Sequence, residues 1–169
     1  MKKKLLFATL IVAFSSCNSL QKTMDNKQKI NETLDSWHNA AGNAKFDAYF
    51  DLMTETGVFI GTDATENWQN EAFRTFSKPY FDKGKAWNFK SLQRTIYLSK
   101  DQKIAWFDEL LDTQMKICRG SGVLIKESGK WKIAHYVLSM TIPNDKTSEV
   151  VKIKDRIETA EILKLKNAK

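Results

Sequence analysis

Apolar side chains recur at helical spacing in the N-terminal half of the chain. Spacings of three and four predict one helix over 30–41, a second, short helix after Gly42-Asn43, and a third over 70–81. Segment 56–62 (TGVFIGT) is rich in β-branched and aromatic residues, which predicts a strand that ends at the turn 63–65. The apolar residues that define the three helices are Ile30, Leu34, Trp37 and Ala41; Phe46, Tyr49, Phe50 and Met53; and Phe73, Phe76 and Tyr80.

The pattern changes to alternation after residue 86. Long strands are predicted over 87–99, 104–111, 113–126 and 131–142, with a turn at 100–102 and a tight hairpin at 127–129. An antiparallel meander of such strands twists strongly, and helices can cover its concave face. The prediction is an α+β fold shaped like a cone. Its strongly curved antiparallel sheet wraps around the N-terminal helices and encloses an internal pocket.

The flanking segments are polar. Residues 18–29 are aperiodic and predict a flexible tether in front of a domain over 30–144. Residues 145–169 are highly charged with a narrow apolar stripe, which is compatible with a helical tail docked on the body or on a partner. His38, next to Trp37 in the first predicted helix, is expected to be exposed.

The first 17 residues have the features of an export signal. A basic start at 2–4 precedes an uncharged, mostly apolar run over 5–14, which is too short to cross a bilayer as a helix. Small residues directly before Cys17 resemble a bacterial lipoprotein signal, although Phe14 stands where leucine is usual. This resemblance implies acylation of the Cys17 thiol and anchoring to the outer membrane, on its periplasmic or cell-surface face. The alternative is an ordinary secretory signal cleaved near Ser16.

The composition argues against nucleic-acid binding, an intrachain disulfide and a metal or cofactor site. The formal net charge of +7 includes three lysines of the signal, and no basic run interleaved with aromatics indicates nucleic-acid binding. Cys118 is the only cysteine besides Cys17, so the exported part is predicted to have no intrachain disulfide. The two histidines lack metal-ligand spacing, and neither a metal nor a cofactor is expected.

Three segments together resemble the SnoaL-like branch of the nuclear transport factor 2-like superfamily. They are 58–63 (VFIGTD) with Glu66 and Trp68 after it, 104–108 (IAWFD), and 129–139 (GKWKIAHYVLS). The resemblance implies a cone-shaped fold with a pocket and dimerisation through the sheet. The family includes polyketide cyclases, relatives of ketosteroid isomerase, dehydratases and the association domain of calmodulin-dependent kinase. The resemblance therefore implies a fold and a pocket rather than one reaction.

Two aspartates are candidate catalytic residues. Asp63 follows the first strand at the expected cavity mouth, where it could transfer a proton or bond its own backbone in a turn. Asp108 alternates with Trp106 and would be a buried carboxylate if that face looks inward. If the face of Ala105 and Phe107 looks inward, Asp108 is exposed. Both faces carry large apolar side chains, so the pattern leaves the choice open.

The following strands add two basic candidates. Arg119 could neutralise Asp108 or bind a ligand carboxylate, or it could be an exposed charge at the sheet edge. His135 alternates with Ile133 and Val137, and it could be a general base, a ligand contact or a hydrogen-bonded core residue. Cys118 is predicted to be a small buried side chain rather than a nucleophile.

The leading hypothesis is a lipid-anchored domain that binds a small organic ligand, such as one bearing a carboxylate, in an aromatic-lined pocket. One alternative is a metal-independent isomerase, cyclase or dehydratase with Asp108 or His135 as general base. Another is a dimeric structural or assembly module. The candidate ligand-binding residues are Trp68, Phe73, Tyr80, Trp106, Asp108, Arg119 and His135.

Overall fold

The computed structural model describes the backbone of residues 3–168 and the side chains of residues 20–168. The helices are α1 (Lys3–Gly42), α2 (Phe46–Asp51), α3 (Asn70–Asp82) and α4 (Thr147–Asn167), with a short 3-10 helix at Asn144–Lys146. The strands are β1 (Met53–Ile60), β2 (Asn67–Gln69), β3 (Lys90–Leu98), β4 (Ile104–Thr113), β5 (Lys116–Glu127) and β6 (Lys130–Met140). The predicted α+β class is confirmed.

The strands form one curved, open sheet in the order β2-β1-β6-β5-β4-β3. Strands β3 to β6 make the predicted antiparallel meander. Strand β1 adds parallel to β6, and β2 pairs antiparallel with β1. Strand β2 was not predicted because its three residues are too few to show alternation.

An aromatic core fills the space between the helices and one face of the sheet. Trp37 of α1 stacks on Tyr49 of α2 and meets the edge of Tyr136 of β6, both at 4.8 Å between ring centroids. Phe59 of β1 stacks on Phe73 of α3 at 4.2 Å. Because these five rings are buried, the helices are fixed to the sheet by large apolar contact areas.

The predicted tether is wrong for residues 20–29, which continue helix α1. Asn26 within this segment is buried, and its amide donates to Gln102 at 2.7 Å. Its oxygen accepts from Lys126 at 3.0 Å and from the Trp131 indole at 3.4 Å. These polar contacts hold the helix against the sheet, so apolar periodicity alone could not reveal it.

The charged tail is helical, as α4, and has no buried residue. Its apolar stripe remains exposed, with Ile153 at 76% and Ile157 at 73% of their accessible surface. One side of α4 lines an open groove with the loop at 62–65. Among the helical residues that the structure describes, no stretch is both long and apolar enough to span a membrane.

Candidate functional site

A cleft of about 220 Å³ opens between α3, the end of β1 and the segment in front of β3. The rings of Trp68 and Phe76 stack at its rim, 4.6 Å apart, and Tyr80 lies 5.6 Å from Phe76. Helix α3 positions Phe76 and Tyr80 one turn apart, and the buried amide of Asn70 fixes the start of that helix by donating to the Thr54 carbonyl at 2.5 Å. The other apolar lining residues are Phe59, Phe73, Trp87, Phe89, Met115 and Leu138.

Few polar groups reach this aromatic cleft. Glu66 contributes the one carboxylate among the described residues that line it, beside Thr62 and Gln114. The Glu66 carboxylate lies against Gly61, where a β-carbon would collide with it. Glycine at 61 therefore makes room for Glu66 at the cleft. The arrangement suits a mainly apolar ligand that presents a hydrogen-bond donor.

A buried carboxylate, Glu109, lies on the core face of β4. Its Oε1 is 2.8 Å from His38 Nε2 and accepts a hydrogen bond from the Tyr136 hydroxyl at 3.1 Å. Its Oε2 accepts from Arg94 Nε at 2.9 Å and lies 2.8 Å from Arg94 Nη2. Arg94 also contacts Asp35 of α1 at 2.8 Å. We call Glu109, His38, Arg94 and Tyr136 the buried polar cluster.

Electrostatics keep Glu109 ionised. Burial raises the pKa of its carboxyl, but the hydrogen bond from His38 and the charges of His38 and Arg94 outweigh burial and lower that pKa. Burial, together with the adjacent Glu109 charge, raises the pKa of Tyr136 well above its usual value. Tyr136 therefore stays a neutral donor. An ionised Glu109 accepts from His38 Nε2–H, and His38 Nδ1 has no hydrogen-bond partner among the described residues.

The expectation that His38 is exposed was wrong, because only 4% of its surface is accessible. The burial follows from α1 facing the core with both Trp37 and His38. Glu109 and Arg94 were not among the predicted site residues. One signal for Glu109 was present, since alternation places this charge on the same face as the apolar Phe107 and Leu111.

Three predicted ligand contacts, Trp68, Phe73 and Tyr80, line the aromatic cleft together. Trp106 is on the opposite face of the sheet and stacks on Tyr97 at 5.8 Å.

The open question about Asp108 is resolved in favour of exposure. Ala105, Phe107 and Leu111 are buried, so Asp108 lies on the outer face with Trp106. Arg119 lies beside it, with a nitrogen 3.9 Å from the Asp108 carboxylate, and the two side chains are 56% and 44% exposed. Neither residue contributes to the aromatic cleft.

The predicted alternation of His135 with Ile133 is wrong, whereas His135 does share the face of Val137. The register of β6 against β5 slips near Ala134, so alternation inverts at that point. Ile133 and Tyr136 both face the core as a result, and His135 faces outward with Val137, away from the aromatic cleft. A general base at Asp108 or His135 would therefore point away from a ligand in this cleft.

Asp63 stabilises the turn at residues 63–65 rather than the cleft. Its exposed carboxylate accepts hydrogen bonds from the Thr65 hydroxyl at 2.6 Å and the Thr65 amide at 2.9 Å, and these bonds lower the pKa of Asp63.

Cys118 is buried, and its thiol is free. Cys17 lies outside the residues whose side chains are described. Within the described chain, no group of three or more His, Cys, Asp or Glu side chains could hold a metal ion.

The fold is shared with several solved structures. An NTF2-like protein of unknown function from Pseudomonas putida is 13% identical, with a TM-score of 0.59 over 73% of this chain and 92% of that one. Rv3472(D26N) of Mycobacterium tuberculosis, of unknown function, is 14% identical, with a TM-score of 0.62 over 76% and 79%. The association domain of C. elegans CaMKII is 18% identical, with a TM-score of 0.57 over 69% and 96%.

These structural likenesses establish the cone-shaped fold that the sequence resemblance implied. Comparison with curated protein sequences gives no significant match. The model of the SnoaL-like domain matches residues 30–143, which is most of the chain and almost the whole of the predicted domain. The chain therefore belongs to the SnoaL-like family.

Proposed function

We propose that this protein binds a small, mainly apolar organic molecule in the aromatic cleft. The observation that carries the proposal is the stacked pair Trp68–Phe76 at the rim, which leaves Phe76 36% exposed and the adjacent Tyr80 44% exposed. Exposed aromatic rings around a concave site are typical of ligand pockets. Export and lipid anchoring through Cys17 complete the proposal, and labelling of the protein with a fatty-acid analogue tests the anchor.

The chemistry of the cleft favours binding over acid–base catalysis. Glu66 is held against Gly61 at the mouth, and no second titratable carboxylate or histidine lines the cleft within the described residues. The proposed ligand is no longer a carboxylate, as the sequence suggested. Arg119 lies on the outer face of the sheet and therefore cannot bind a ligand carboxylate in the aromatic cleft. An aromatic or alicyclic molecule with a hydroxyl or amine directed at Glu66 fits best.

Replacing Trp68 with alanine is expected to abolish capture of this molecule, because it removes one of the two stacked rim rings. Native mass spectrometry of the full chain, purified from its own cells, should show an adduct of low mass on the wild type that is absent from Trp68→Ala. Trp106→Ala is the matched control, since Trp106 is a 45% exposed tryptophan on the opposite face, and it should keep the adduct. Loss of the adduct in Trp106→Ala but not in Trp68→Ala would contradict the proposal.

We also propose that the outer face of the sheet forms a homodimer. Tyr97 and Trp106 stack there, and Ile104 and Ile117 are 46% and 50% exposed. Exposed large apolar side chains on one face of a sheet are typical of a protein interface. The presence of an association domain among similar structures supports assembly through this fold.

Replacing Ile117 with aspartate is expected to convert the dimer to a monomer, because it places a charge in the apolar interface. Sedimentation velocity measures the change directly. Ile153→Asp is the control, because Ile153 is exposed on α4, away from the sheet, and this variant should sediment like the wild type. A wild-type chain that is monomeric at high micromolar concentration would refute the dimer.

A further inference from the structure

We propose that the ligand of the aromatic cleft is an organic cation, with an ammonium group carried on a small apolar body. The inference rests on the proposed function, because it concerns the same cleft, and it goes further by fixing the charge of the ligand. The observation that carries it is the combination of aromatic rings with one carboxylate, Glu66, and no basic side chain among the described residues that line the cleft.

The Glu66 carboxylate is held at the mouth of the cleft by its own loop. Glu66 directly precedes β2, Trp68 is the middle residue of that strand, and both side chains line the cleft. The Glu66 amide donates to the Asp63 carbonyl, and the Glu66 carbonyl accepts from the Gly61 amide, each at 3.0 Å. Glu66 Oε2 also accepts from the Asp63 amide at 3.3 Å. The carboxylate is therefore positioned before any ligand arrives, which lowers the entropic cost of binding.

The charge of Glu66 is not neutralised within the described part of the chain. None of the ion pairs between described side chains includes Glu66. Lys83 lies near the rim, with its Nζ 6.0 Å from the centroid of the Tyr80 ring, which is the outer limit of a cation–π contact. Lys83 is exposed and does not line the cleft, so solvent and salt screen its charge. Electrostatic complementarity with the cleft therefore requires a positive ligand.

The aromatic rings favour the same charge. The face of an aromatic ring is electron-rich, so it attracts a cation more strongly than a neutral group of the same size. Trp68 and Phe76 stack with their planes 16° apart, and Tyr80 is inclined at 46° to Phe76. Phe76 and Tyr80 remain partly exposed, so a ligand can reach these rings. Thr62 and Gln114, the other polar lining residues, have oxygens that can accept from an ammonium group.

Two ligands of nearly the same shape separate charge from hydrogen bonding. Benzylamine is a cation at neutral pH and benzyl alcohol is neutral, and each joins a phenyl ring to a hydrogen-bond donor. Isothermal titration calorimetry of the full chain should show that benzylamine binds about tenfold more tightly than benzyl alcohol, which is within the range of a cation–π contact. Sodium chloride should weaken the binding of benzylamine alone, because salt screens charge.

Two carboxylate variants assign the preference to Glu66. Glu66→Gln removes the charge and keeps the size of the side chain, so most of the tenfold preference should disappear while the affinity for benzyl alcohol changes little. The retained binding of benzyl alcohol also shows that this variant folds. Glu71→Gln is the matched control, because Glu71 is exposed in the first turn of α3 and does not line the cleft. This control should keep the full preference.

The outcomes distinguish this inference from the proposed function. Equal affinities for the two ligands, with both lost in Trp68→Ala, would overturn the cation and leave binding in the aromatic cleft intact. A preference for benzylamine that survives Glu66→Gln, or that falls equally in Glu71→Gln, would assign the attraction to general surface charge and would also overturn it. If neither ligand shows binding that depends on Trp68, the aromatic cleft is not the ligand site, and both proposals fail.

Discussion

Replacing Arg94 with methionine is expected to destabilise the protein by about 3–5 kcal/mol, the usual cost of removing one partner from a buried ion pair. Arg94 and Glu109 are paired at 2.8 Å, with side chains 5% and 0% exposed, so water cannot replace the guanidinium. The change leaves Glu109 with His38 and Tyr136 as its remaining partners. Urea denaturation of the wild type and variant at neutral pH measures the loss.

Two further variants identify the cause of that loss. Asp35→Ala removes the other partner of Arg94, but the Asp35 side chain is 65% exposed, so we expect a loss below about 1 kcal/mol. In Arg94→Met/Glu109→Gln the buried carboxylate is removed together with its cation, and part of the lost stability should return. If Arg94→Met costs no more than Asp35→Ala, the ion pair does not stabilise the core.

The same pair predicts how stability depends on pH. Because the folded protein lowers the pKa of Glu109, this group contributes stability fully above the ordinary carboxyl pKa. That contribution is lost as the pH falls from the ordinary value through the lowered one. Urea denaturation of wild type and Glu109→Gln over this acid range should therefore show a steeper loss for the wild type. Parallel curves would contradict the assignment.

The parts of the fold that could be predicted are those in which buried apolar residues recur at regular spacing along the sequence. Helices α2 and α3 and the meander from β3 to β6 repeat their apolar residues at spacings that match their geometry. The helical segment at 20–29 and the slip at Ala134 leave no such signal. The helical segment is held by polar contacts of Asn26 with residues far away in the sequence. The slip at Ala134 reverses which side chains face the core, and a prediction from alternation assumes that no such reversal occurs.

The candidate site was predictable to a similar degree. Trp68 and Tyr80 were found because aromatic residues follow the first strand and the third helix, and both line the aromatic cleft. The buried polar cluster was missed because His38, Arg94 and Glu109 are far apart in sequence. His38 and Arg94 look like surface residues, and although alternation places Glu109 on the core face, it does not reveal the partners of that carboxylate. Charge pairing across the core has no period along the chain, so only the structure reveals it.

Replacing Gly122 with alanine is expected to cost about 3 kcal/mol, at the upper end of what overpacking a core usually costs. A β-carbon at 122 would collide with the His135 carbonyl oxygen and approach the Phe107 ring to 2.9 Å. The carbonyl belongs to the paired strand β6, so moving it would disrupt the hydrogen bonds that join β5 and β6. The backbone at Gly122 is not in the left-handed region, so alanine would add no conformational strain there. The expected loss of stability is therefore purely steric.

Ser121→Ala is the control for Gly122→Ala, because Ser121 is adjacent on the other face and half-buried, and its replacement should change stability by less than about 0.5 kcal/mol. Thermal and urea denaturation of both variants separate the two cases. The consequence extends to the buried polar cluster, since β5 pairs residue 122 with Tyr136, whose hydroxyl donates to Glu109. Gly122→Ala should therefore also shift the histidine NMR signals of His38. A variant as stable as the wild type would show that strand β6 can move to accommodate the β-carbon without loss of stability. An unchanged His38 spectrum would show that the buried polar cluster does not depend on the close approach of β5 and β6.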